Sequence, residues 1–139
     1  MATRVYFLKT TNTAVTLNVR PTVIGIVSTV VQLKKSGGSI IDLGNSGNNA
    51  TGTITNLPVG KSNDLLNAAL VITTVVNLVN VPKAQWDSVF ESLRITYQLN
   101  GGIDGLQTFN VDNDDKMQIM KKQIIVATKA IKFTTNEIA

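Results

Sequence analysis

The sequence predicts an all-β, mainly antiparallel fold: a sandwich or flattened barrel of about eight strands, with one short helix near residues 82–93. Three observations lead there. Val, Ile and Thr supply 46 of the 139 residues, and side chains branched at Cβ are stiff and pack well on a pleated surface. Fourteen Asn and ten Gly provide the left-handed and side-chain-bonded conformations that tight turns need. Turn signals recur at ~8–12-residue spacing and the strand patterns do not alternate with helices, which disfavours a parallel α/β sheet. Charged residues make up 16% of the chain and hydrophobic residues 43%, a balance that excludes a disordered chain. The length suits a single domain over 1–139.

The elements follow in order. Ala14–Arg20 alternates, with Val15, Leu17 and Val19 on one face and Thr16, Asn18 and Arg20 on the other; Pro21 then interrupts. Residues 22–34 read as one long central strand, bent or bulged near Gly25. Lys34 to Gly38 is a turn, and Ser39–Leu43 a short strand. The stretch GNSGNNATG, 44–52, is expected to be an exposed, mobile loop. It contains the sequon Asn49-Ala50-Thr51, silent without a secretory signal. A strand is expected over Thr51–Asn56. A longer one is expected over Ala69–Val79, with Leu70, Ile72, Thr74, Val76 and Leu78 sharing a face. The helix is VPKAQWDSVFESLR. Pro82 suits a first turn, Trp86, Val89, Phe90 and Leu93 form one apolar stripe, and Lys83 and Asp87 are spaced for an i,i+4 pair. The period then changes to two: Leu93, Ile95, Tyr97 and Leu99 alternate with polar residues up to the hairpin signal Asn100-Gly101-Gly102. Leu106–Val111 returns, residues 112–115 make an acidic turn, and Lys116–Lys121 and Gln123–Thr134 are the last strands.

Composition also removes chemistry. The chain has no Cys and no His. Disulfides, thiolate metal sites, Cys nucleophiles and the Ser-His-Asp triad are therefore excluded. Only Asp, Glu, Lys and Tyr remain for acid–base work. The N-terminal stretch lacks the pattern of a secretory signal, and the most apolar run, 69–81, is shorter than the ~20 residues a spanning helix needs. Cytoplasmic placement is the default expectation, with no membrane partner. Net charge is +4, but the basic residues are scattered, the densest groups being Lys34-Lys35 and Lys121, Lys122, Lys129 and Lys132. That pattern argues for a solvated basic face rather than a nucleic-acid site.

One stretch resembles a phosphate-binding loop in layout. TNLPVGKS, 55–62, ends in Gly-Lys-Ser between a strand pattern and a helical one. The full motif needs Gly six residues before the Lys, where this chain has Thr55. Pro58 lies inside the segment and offers no N–H to a phosphate. The stretch is expected to be a Pro-Val-Gly turn with a solvated Lys61, Ser62 capping a helical turn through Asp64–Ala69.

Asp112, Asp114 and Asp115 are the candidate metal ligands, for Ca2+, which takes several oxygens. An EF-hand loop counted from Asp112 fails: Lys116 stands at position 5, Met117 at position 6 and Gln123 at position 12. A looser site would need Asp104 or Asp42 to converge on the same end of the sandwich; otherwise the run is an Asx-rich hairpin turn. Asn45, Asn48, Asn49 and Asp104 are the candidate residues of a ligand-binding loop. Trp86 is expected to anchor the core rather than stack on a sugar or base, and Tyr6 and Tyr97 to be sheet residues. A carboxylate-only hydrolase would need two acids across a cleft. The two Glu are Glu91, on the polar side of the helix, and Glu137, in the tail; no catalytic residues or cofactor are assigned.

The sequence therefore leads to a non-enzymatic β-sandwich module that assembles with itself or with another protein, because long strands with few charges leave neutral sheet surface and edges to manage. The alternatives are loop-mediated recognition of a glycan, or of lipid with Ca2+, and a small hydrolase using carboxylates alone.

Overall fold

The computed structural model describes residues 3–135. Ten strands form two sheets, and the sandwich is the observed form. The larger sheet has the order β1(Thr3–Leu8), β10(Ile124–Thr135), β6(Ala69–Asn77), β3(Ile26–Lys34), β4(Ile40–Asn45), with β9(Lys116–Ile119) also paired to β10. The smaller sheet has the order β5(Ile54–Lys61), β2(Ala14–Thr22), β7(Arg94–Gly102), β8(Gly105–Asn110). All the named pairings are antiparallel except β1 with β10.

The period-two patterns mark the faces. Val15, Leu17 and Val19 of β2 and Ile95, Tyr97 and Leu99 of β7 are buried against Leu70, Ile72 and Val76 of β6 and Ile131 and Phe133 of β10. Thr74 lies on the same inward face, where its hydroxyl meets that of Thr29 at 3.1 Å, each hydroxyl giving the other a partner inside the core. Tyr6 packs edge-on against Phe133 and Phe109. Its hydroxyl donates to the Gly105 carbonyl at 2.9 Å and accepts from the Gly102 N–H at 2.7 Å.

Several boundaries differ from the sequence expectation, for stateable reasons. Residues 22–34 are not one strand: Thr22 ends β2 in the smaller sheet and Ile26 begins β3 in the larger. Gly25 makes the crossing, at φ +120°, where a Cβ would lie 3.0 Å from the Asn77 carbonyl oxygen. Pro21 does not interrupt β2. It pairs with Ile95 beyond Val19, the last residue paired with β5, where the strand has one neighbour and an absent N–H costs little. The strand expected over Thr51–Asn56 starts at Ile54 and runs on to Lys61, straight through Pro58. β5 is an edge strand, the place where a sheet accepts proline. Ser62 does not cap a helix. Its hydroxyl donates to the Thr13 carbonyl and accepts from the Thr13 N–H, and the helical turn α1(Ser62–Leu65) is shorter than expected.

The predicted helix is present as a 3-10 turn over Lys83–Gln85 followed by α2(Trp86–Ser92). Val89 and Leu93 are buried, and Trp86 and Phe90 pack against the core at its margin. The Trp86 indole N–H donates to the Val81 carbonyl at 2.8 Å. Asp87 pairs with Lys122 at 3.2 Å rather than with Lys83. Among the described residues no helix is long and apolar enough to cross a membrane.

Candidate functional site

The three segments with ligand-binding potential sit apart. Loop 44–52, with Asn45, Asn48 and Asn49, lies where β3 begins: the Val27 N–H donates to Ala50 and the Ser46 N–H to Thr29. The loop is exposed but tied down, because Asn49 Oδ1 also accepts from the Thr51 N–H at 2.9 Å and Asn45 Oδ1 from the Gly47 N–H at 2.8 Å. Loop 101–105 is at the other end of β2: the Ile103 N–H donates to Phe7, and Gly101 lies against Ala14. There the Asp104 carboxylate accepts from the Gln107 amide. Segment 112–115 leaves β8 level with the Pro21 end of β2, the end that carries loop 44–52, because the Val111 N–H donates to Ile95, the partner of Pro21; it does so at the β8 edge, two strands from β2. It crosses from β8 in one sheet to β9 in the other as a 3-10 turn, Asn113–Asp115, rather than turning a hairpin within one sheet.

That crossing contains the feature sequence reasoning missed. Lys129 shares the inward face of β10 with Ile125, Ala127, Ile131 and Phe133, and its side chain is 1% exposed. Its ammonium donates to the Asn110 carbonyl at 2.9 Å, to Asp112 Oδ2 at 2.7 Å and to Asp115 Oδ2 at 3.1 Å. Three acceptors match the three donors of a charged lysine. Asp112 Oδ2 also accepts from Arg4 at 2.7 Å, and Asp115 Oδ2 from the Asp112 N–H at 2.8 Å. Lys129 and Arg4 hold the Asp112 carboxyl below the usual carboxylate range. Burial, helped by the charges of Asp115 and Asp112, pushes the Tyr97 phenol well above its usual value. The Tyr97 hydroxyl and Asp115 Oδ1 are both buried without a hydrogen-bond partner.

The carboxylates of Asp112, Asp114 and Asp115 do gather, one oxygen of each lying within 4.8 Å of the others. A protein ammonium already sits against two of them. A Ca2+ ion taking Oδ2 of Asp112 and Asp115 would compete with a buried lysine and leave its ammonium the Asn110 carbonyl alone, a cost of several kcal/mol. The geometry is that of a staple: Lys129 reaches from the larger sheet to the segment that closes the seam between β8 and β9.

Surface clefts offer little convergent chemistry. One of about 200 Å³ is lined by residues including Glu91, Arg94, Asn113 and Lys116. A more open neighbour of about 560 Å³ shares Arg94 and lies between α2 and the β2–β3 crossing. Neither these nor the cleft beside Ser62 is lined by Asp104 or by two carboxylates. Glu137 lies outside the described residues.

The outer faces of the two sheets contrast. On the larger sheet, one row of neighbours across β3, β6, β10 and β9 reads Ile26, Asn77, Ile124, Ile119. The next reads Ser28, Val75, Val126, Met117, and the third Val30, Thr73, Thr128. None of these can ionise. Charge enters only at the margin, with Asp42 against Gln32 and, two rows beyond Val30, Lys34 and Lys132. On the smaller sheet the corresponding rows are Thr16 with Asn100, Asn18 with Gln98, Arg20 with Thr96, and Thr22 with Arg94. One face is built to stay wet; the other carries a charge-free field in which apolar residues are interleaved with Ser28, Thr73, Asn77 and Thr128. Compared with protein-family models, with curated proteins and with solved structures, the chain gives no match.

Proposed function

We propose that this protein is a non-enzymatic β-sandwich that works by self-association, as a structural or assembly subunit. The observation that supports the reading is the set of charge-free rows on the outer face of the six-stranded sheet. The charge-free rows, from Ile26 to Val30 on β3, cross four strands spaced ~4.8 Å and run ~16 Å along them, so they cover roughly 300 Å² in flat projection. The largest apolar patch on a monomeric protein is ~300–600 Å² and is often functional, so the field is of a size at which interaction surfaces occur. A stable interface takes about 800 Å² from each partner, so the contact would extend beyond these rows over the margins of the sheet. Charged partners such as nucleic acid or an anionic membrane would find nothing to pair with across its centre. Sedimentation velocity over a dilution series tests the reading. A sedimentation coefficient that falls on dilution, or stays at the value of an oligomer, is expected; the coefficient of a monomer throughout the micromolar range would overturn it.

A further inference from the structure

We infer that Lys129 and Asp115 condense into an amide inside the folded chain, with Asp112 carrying the proton: a self-made cross-link between β10 and the segment that joins the two sheets.

The ion contacts described above are the geometry from which the bond forms. Lys129 Nζ lies 3.1 Å from Asp115 Oδ2. Asp115 Cγ is one C–O bond beyond that oxygen, so it is at most about 4.3 Å from the nitrogen. Reacting atoms in a near-attack arrangement stand ~3–3.5 Å apart, and holding them together replaces a very high concentration of free reactant. Both partners are held. Lys129 is pinned by Asn110 and Asp112. The two carboxylates are locked by a reciprocal capping box, in which the Asp115 N–H donates to the Asp112 side chain and the Asp112 N–H donates to Asp115 Oδ2 at 2.8 Å. The Lys129 and Asp115 side chains are 1% and 0% exposed, so the water that would reverse the step is kept out.

The two oxygens of Asp115 differ in the way the step requires. Oδ2 faces the Asp112 N–H, a donor placed where negative charge develops as nitrogen adds to Cγ. Oδ1 is buried with no partner, so it leaves without breaking a hydrogen bond. Asp112 Oδ2, 2.7 Å from Nζ, is held anionic by Lys129 and Arg4 and can take a proton. It removes one from the ammonium and delivers it to Asp115, which sets a neutral amine against a neutral acid. Nitrogen adds to Cγ, its second proton follows to Oδ1, and the Cγ–Oδ1 bond breaks. One ammonium and one carboxylate give one amide and one water, with no further reactant. The product strands nothing. Two buried charges are gone, the amide N–H keeps the Asn110 carbonyl, Oδ2 keeps the Asp112 N–H, and Asp112 keeps Arg4. The link spans 14 positions and encloses β9, fixing that short strand and the crossing before it to β10.

Intact-mass spectrometry of the purified wild-type chain, followed by tryptic digestion, tests the bond. The expected mass is one water below that of the sequence. Trypsin is expected to leave residues 95–116 joined to 123–132, uncut after Lys129, with fragmentation placing the junction at Asp115. Asp112→Asn, shown to be folded by Trp86 fluorescence, is expected to keep its full sequence mass. A wild-type chain at its full sequence mass overturns the bond, without recourse to any variant, and leaves the ion cluster as the staple. A lost water that maps elsewhere, or a junction at Asp112, overturns the assignment to Asp115. A joined peptide from folded Asp112→Asn overturns Asp112 as the proton carrier.

Discussion

Replacing Lys129 by methionine tests whether the buried ion cluster holds the sandwich seam. Methionine keeps the length of the chain but removes the ammonium and its three bonds, to Asn110, Asp112 and Asp115. Asp112 retains Arg4 and is one-third exposed, so it can be resolvated. The Asp115 side chain is 0% exposed, and its Oδ1 already lacks a partner. The loss therefore falls on one stranded carboxylate, and removing one partner of a buried pair costs ~3–5 kcal/mol. For a chain of this size that is a Tm lower by about 10–20 °C. Urea unfolding followed by Trp86 fluorescence, with the m-value unchanged, measures it. Adding Asp115→Asn should recover part of the loss at neutral pH. A Lys129→Met protein within about 0.5 kcal/mol of wild type would refute the reasoning, since the ammonium would then carry no structural weight.

Other outcomes follow from the same coordinates. Asp112 has a depressed folded-state pKa, so its contribution is complete above the unfolded-state value of about 3.9 and is lost as pH falls through the lower folded value; Asp112→Asn should flatten the acid limb of a stability-against-pH curve measured by urea midpoints. Gly101→Ala should destabilise by well over the ~1 kcal/mol of an ordinary backbone strain, because φ is +102° and the added Cβ would meet the Ala14 carbonyl oxygen, whereas Gly37→Ala, with open space around it, should change the melting temperature little. Millimolar Ca2+ should leave the thermal midpoint unmoved, because Asp112 and Asp115 are already paired from within by Lys129 and Arg4; a rise would show an ion displacing the lysine.

Much of the fold was legible, because alternation is a direct record of which face is wet. Leu70, Ile72, Thr74, Val76 and Leu78 are all buried, as their spacing requires, and so are Leu93, Ile95, Tyr97 and Leu99. The turn from 3.6 to 2.0 periodicity at Leu93 marks the end of α2 to within a residue. Where the reading slipped, proline and glycine were given local meanings that topology overrode. Pro21 and Pro58 look like breaks in sequence but occupy strands where no neighbour needs their N–H. That turned TNLPVGKS from an expected turn into the body of an edge strand, with Lys61 as its last residue. Gly25 divided one apolar run between two sheets because both halves are equally β-like, and only the sandwich tells them apart.

The ion cluster was legible in part. Residues 112, 114 and 115 stood out as carboxylates seeking a cation, but their cation was sought outside the chain. Parity held the answer: Lys129 falls in phase with Ile125, Ala127, Ile131 and Phe133, and a lysine on an inward face needs an acidic partner. Sequence distance hides which partner, since Arg4 and Lys129 reach Asp112 from strands at opposite ends of the chain. The apolar outer face was anticipated only as low charge. Its contiguity depends on β3, β6, β10 and β9 lying side by side, which no single strand discloses.

The most direct test of the account is the mass of the untagged wild-type chain by light scattering at tens of micromolar. The account predicts a mass of at least twice the chain mass of 14.9 kDa, and 14.9 kDa itself would contradict it.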